Sequence, residues 1–133
     1  MSPTTELLLF IEKELSVLGI PFYFSRPNEA EHMVPLIIVD ETFSYDSSIK
    51  DRNMSRNTIP IHIFEKVGNR QLVEDSLYEI KRLFQRRSFV FESGTTVNMA
   101  RVNTSTITDD STTITLSHGI AEVEFNITER VKQ

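Results

Sequence analysis

Apolar positions recur along this chain with two different periods, and the switches between them divide it into elements. In "SPTTELLLFIEKELSVLG", Leu7, Leu8, Ile11, Leu15 and Leu18 return at helical spacing. Ser2 is placed to cap that helix, Pro3 suits its first position, and Gly19 with Pro21 ends it. "PFYFS" then reads as a short strand, and the continuous β-branched run "VPLIIVD" as a central strand buried on both faces. Residues 41–57, "ETFSYDSSIKDRNMSRN", show no sustained period and read as a long loop of the kind that tends to be functional.

"TIPIHIFEK" alternates, with Ile59, Ile61 and Ile63 on one face and Pro60, His62 and Phe64 on the other. Pro60 has no N–H to give to a ladder, so it fits an edge or a point where one side of the strand is unpaired. In "VGNRQLVEDSLYEIKRLFQRR", Leu72, Val73, Leu77, Ile80, Leu83 and Phe84 form a helical stripe behind Asn69 as N-cap. Arg82, Arg86 and Arg87 near its C-terminus complement the helix dipole. "RSFVFESG" offers a short extra strand or an adhesive segment, and residues 97–128 a long Thr-rich hairpin turning at "TDDSTT". Along the second arm of that hairpin the apolar positions change parity, from Ile114, Leu116, His118 and Ile120 to Ala121, Val123, Phe125 and Ile127. An inserted residue shifts parity in this way, so a β-bulge is predicted near Gly119. The pattern gives one α+β domain over residues 1–133, a mostly antiparallel sheet with two helices packed on one side. Its order is α-β-β-(long loop)-β-α-β-β, ending in the hairpin.

Composition narrows the function. The 133 residues include no Cys, which removes thiol nucleophiles and thiolate metal sites. With 14 basic against 19 acidic residues, the net charge of -5 argues against a surface built to hold nucleic-acid phosphates, though not against the transient passage of DNA. The runs "LLLFI" and "LIIV" fall far short of the roughly 20 apolar residues that span a bilayer, and the N-terminus does not read as a signal peptide, so no membrane role is expected.

Candidate chemistry is sparse. His32, His62 and His118 lack a partner at a metal-ligand spacing, so no metal or other cofactor is expected. Asp109 and Asp110 suit a solvated turn, and nothing resembles a nucleophile elbow or a phosphate-binding loop. The protein reads as a non-enzyme. A hydrolase or nuclease would need His62 or His118 to meet Asp109 or Asp110 in one cleft, and a separation beyond about 10 Å would dispose of it. The features that ask for explanation concern contact. Phe43, Tyr45, Ile49 and Met54, with Arg52 and Arg56, sit in the polar loop and suit contact with a partner, although a loop folding back onto its own core would use the apolar ones equally well. The Pro60, His62 and Phe64 face and the Asp109–Asp110 tip suit a neighbouring subunit or, for that face, the chain's own hairpin.

The succession "LGIPFYFS", "VPLIIVDE", a long loop, "IPIHIFEKV", "RQLVEDSLYEIKRLF" and a terminal hairpin resembles the tail terminator and tail-completion proteins of long-tailed bacteriophages. The likeness spans most of the chain and rests on element order and on the passage "IPIHIFEKVGNRQLVEDSLYEI". It implies a homohexameric ring in the virion, assembled in the host cytoplasm, that caps the tail tube and docks to the head connector. The long loop would then lie toward the lumen or the partner. It carries over no catalytic residue and no cofactor. A head-closure or adaptor ring protein, and a monomeric protein-binding module, are the alternatives.

Overall fold

In a computed structural model that describes residues 2–46, 48 and 52–130, two α-helices lie on one face of a seven-stranded sheet. The order is α1 (Pro3–Leu15), β1 (Phe22–Tyr23), β2 (Leu36–Ile38), β3 (Phe43–Asp46), β4 (Arg52–Lys66), α2 (Arg70–Phe84), β5 (Phe89–Val90), β6 (Thr96–Asp109) and β7 (Leu116–Arg130). Single 3-10 turns occupy Ser16–Leu18, Ala30–His32 and Val67–Asn69. β1 runs parallel to β2 and the other pairings are antiparallel, in the order β1-β2-β4-β7-β6-β5, with β3 joined to β4 beyond the end of β2. This is the α+β arrangement that the periodicities predict.

Local chemistry sets the helix ends. Ser2 Oγ accepts the Thr5 N–H at 3.1 Å, and Gly19, at φ 67°, takes the left-handed conformation that closes the turn after α1. Leu7, Ile11 and Leu15 from α1, and Val73, Leu77, Ile80 and Phe84 from α2, pack against Ile59, Ile61 and Ile63 of β4 and Ala121, Val123, Phe125 and Ile127 of β7. Asn69 does stand at the N-cap of α2, but its side chain does not cap the helix. Its amide donates instead to Glu65 Oε2 at 3.2 Å, because Glu65 is only 6% exposed and a buried carboxylate needs donors more than a helix end open to water does.

The structure corrects three readings. Residues 41–57 are not one loop: β3 pairs with β4 from Phe43–Thr58 to Asp46–Ser55, so most of that segment is the root of a second hairpin. β2 is buried on both faces but is not central. It is three residues long and second from an edge, whereas β4 and β7 form the middle, paired over fifteen positions.

The third correction concerns Gly119. β7 pairs with β4 and β6 without interruption there, and the register shift lies in β6, between Asn98 and Arg101. That bulge is what lets Val97 and Val102, at positions of opposite parity, both face the helices, opposite Ile127 and Val123. The parity change in β7 has another cause, a second core on the opposite face, where Leu116 packs with Ala30, Leu36, Ile38 and Phe64. Gly119 itself points at α2. A Cβ built on it would lie 2.5 Å from Val73 Cγ1 and 3.1 Å from Leu77 Cδ1, so glycine is what allows the helix to sit this close.

Candidate functional site: the sheet face opposite the helices

Strand alternation assigns the far face of the sheet. From the registers, Phe43 and Tyr45 of β3 lie beside Thr58 and Arg56 of β4, which lie beside Glu124 and Asn126 of β7. Pro60, His62 and Phe64 continue that face along β4, with Glu122, Ile120 and His118 opposite them on β7, and Ile107 and Asp109 beyond on β6. Pro60 falls between the stretch of β4 paired by β2 (62–64) and that paired by β3 (55–58), so the outer side of the strand carries no partner strand there. This is the unpaired point its missing N–H called for.

The face has a closed half and an open half. In the closed half, Phe64 is 4% exposed, stacked on His118 with ring centroids 4.2 Å apart, while the Arg26 guanidinium lies 5.1 Å from its ring centroid. Tyr23, Val34 and Ile114 complete this cluster, so the chain itself buries Phe64, and Pro60 is buried as well. In the open half, Phe43 is 51% exposed and Tyr45 64%. Arg56 lies over the Tyr45 ring at 5.7 Å and within 3.8 Å of Glu124, so a cation, an aromatic ring and a carboxylate form one short row. Met54 is half-buried and Arg52 exposed on the same hairpin, and Ile49 lies outside the described residues.

The histidines meet. His62 Nδ1 lies 2.9 Å from His118 Nε2. Burial, and then the neighbouring His62, lower the His118 pKa from 6.5 to about 4, so its ring is neutral at pH 7. Asp109 acts on His118 through its charge, opposing that shift, while its carboxylate accepts from the Ser111 N–H at 3.0 Å and from the Ser111 hydroxyl. Those bonds hold the Asp109 carboxyl below its ordinary range. Asp110 is exposed at the tip. The aspartate reads best as the turn residue its sequence suggested, with its hydrogen bonds spent on Ser111.

One grouping escaped sequence spacing. Asp40, Glu41 and His62 each offer a ligand atom, and the three atoms lie within 4.8 Å of one another. Only the β2–β4 register, Ile38 opposite His62, brings them together. Among the described residues no helix is long and apolar enough to cross a membrane.

Comparison with known proteins gives a fold likeness. No family model matches the chain, and no curated protein does. Among solved structures, a chain from the "Virion of native gene transfer agent (GTA) particle" superposes with a TM-score of 0.65 at 8% identity, over 91% of this chain and 92% of that one. At that identity the likeness is one of fold.

Proposed function

We propose that the protein is a structural subunit of a phage-like virion, a ring protein that caps the tail tube and joins it to the head connector. The observation that carries the reading is the end-to-end likeness to a virion chain, since both chains are covered almost entirely and the shared fold is not a fragment. The open half of the sheet supports it. Phe43 and Tyr45 stand exposed on a hairpin, where apolar rings contribute little to a monomer and much to an interface. The outer edge of β6 supports it too: β5 pairs only with Thr96 and Val97, and residues 101–109 have no described strand on that side. An edge of that length suits strand addition by a neighbouring copy.

In this reading the β3–β4 hairpin faces the tube or the lumen, the β6 edge and the Asp109 tip face the next subunit, and the negative charge lets DNA pass without adhering. The test is light scattering with negative-stain imaging of the purified chain, alone and mixed with tail tubes or head connectors from the same particle. Six-fold rings at the tube end support the proposal. Rings that bind only connectors favour the head-closure alternative, and a chain that stays monomeric at high concentration and forms no ring with either partner refutes it.

A further inference from the structure

We propose that Asp40, Glu41 and His62 form a divalent-metal site, which pins the crossing from β2 to β3 onto the middle of the sheet. β2 ends at Ile38, opposite His62, and β3 begins at Phe43, opposite Thr58. Residues 39–42 therefore pass alongside the stretch of β4 that contains Pro60. Continued alternation puts Asp40 on the face of Ile38 and His62, and Glu41 follows it.

The donor atoms lie within 4.8 Å of one another. An ion bonded at 2.0–2.2 Å wants neighbouring donors roughly 3.3 Å apart. Asp40 and Glu41 are exposed and can close that difference by rotamer changes alone.

A second observation, outside the trio, points the same way. Ligating histidines are held by a hydrogen bond from the other ring nitrogen, which fixes the tautomer and the ring plane. His62 has that anchor in His118, at 2.9 Å, and His118 is itself clamped by stacking on Phe64 at 4.2 Å. In the tautomer that carries the proton on Nδ1, His62 donates to His118 and its Nε2 keeps the lone pair that a metal would take. One imidazole with two carboxylates and no thiolate selects a first-row ion such as Zn2+ over Ca2+ or Mg2+, which prefer oxygen alone. Three protein ligands leave room for water. The ion would tie down the root of the hairpin that carries Phe43 and Tyr45, and its binding does not depend on the assembly reading.

The test titrates the EDTA-stripped full chain with ZnCl2 by calorimetry, with thermal melts alongside. Saturable binding of one ion per chain is expected, with a rise in Tm on adding metal. Asp40→Asn, Glu41→Gln and His62→Ala should abolish that binding or weaken it by more than about 10-fold, and His118→Asn by roughly 10- to 100-fold through loss of the anchor. His32→Ala, which removes a surface histidine 3.9 Å from Glu31, should change nothing. The proposal is overturned if the wild type shows no saturable heat, if one-site binding survives in His62→Ala, or if His32→Ala is the variant that loses it. Should His62→Ala fail to fold, Asp40→Asn, at an exposed position, decides the same question.

Discussion

Replacing Gly119 by alanine puts the helix–sheet contact to a direct test. Carbon atoms in contact sit roughly 3.5–4.0 Å apart. The added Cβ would lie 2.5 Å from Val73 Cγ1, with Leu77 Cδ1 and Cγ at 3.1 and 3.3 Å, so atoms must separate by about 1 Å. Val73 cannot swing away readily, because a β-branched side chain in a helix has one strongly preferred rotamer. Nor can α2 lift off without uncovering Ile80 and Phe84, which are fully buried. Overpacking of this kind costs about 1–3 kcal/mol, and the entropic gain of Gly→Ala returns only about 0.5–1. A net loss of about 1–2 kcal/mol, or roughly 3–8 °C in Tm, is expected. Urea unfolding followed by circular dichroism measures it in Gly119→Ala, Val73→Ala and the double variant. Val73→Ala alone opens a cavity, which the methyl added by Gly119→Ala partly fills, so the double variant should be at least about 1 kcal/mol more stable than the sum predicts. A Gly119→Ala protein as stable as the wild type, or costs that simply add, would refute the close approach and leave the glycine without a packing role.

Three further outcomes follow from other contacts. In EDTA, stability should be constant above pH 6.5 and fall as pH drops toward 4, because the unfolded chain takes up a proton at position 118 before the folded one does. The shift corresponds to roughly 3 kcal/mol, which partial exposure and screening reduce to about 1–2, and His118→Asn should flatten that limb of a urea-midpoint-versus-pH plot. Gln85 Oε1 accepts the Val102 N–H at 2.9 Å, beside the β6 bulge, so Gln85→Ala should cost about 1–2 kcal/mol in the same unfolding assay, and the Val102 amide should exchange faster by NMR. Under the proposed ring function, Phe43→Ser with Tyr45→Ser should leave the monomer within about 1 kcal/mol of wild type while abolishing attachment to tail tubes in negative stain; a variant that still attaches removes the hairpin from the contact.

Much of this fold was legible in the chain because local chemistry and burial agreed. Ser2 and Pro3 start α1, Gly19 closes the 3-10 turn that follows it, the alternation of Ile59, Ile61 and Ile63 gives β4, and Pro60 marks where the outer ladder is interrupted. What escaped was non-local. Asn57, Ser55 and Asn53 have no strand pattern, and they are in β4 because β7 pairs with them through to Glu129. β3 is four exposed residues whose extended form rests on the β4 edge. A parity change has two physical causes, a bulge or a second core, and sequence alone does not separate them. The same signal stood at Val97 and Val102, where it did mean a bulge. The trio of Asp40, Glu41 and His62 has no spacing to read, since only the register of β2 on β4 creates it.

The two halves of the far face explain why the aromatic hairpin stands where it does. Residues 23–38 close the face over Phe64 and His118, and their cover ends where β2 gives way to β3, at Pro60. Beyond that border Phe43 and Tyr45 project from β3, a short strand paired with β4 over four residues, whereas β4 itself is held by β7 along its whole length. Docking so short a strand onto a partner costs the entropy of fixing it and its side chains. A tether at Asp40 and Glu41, immediately before β3, would meet that cost in advance by fixing the root on His62. Metal binding should then tighten partner attachment without touching the contact residues, and His62→Ala should weaken attachment only when metal is present. Equal attachment by both proteins in zinc and in EDTA would separate the two sites and leave the tether with a role in stability alone.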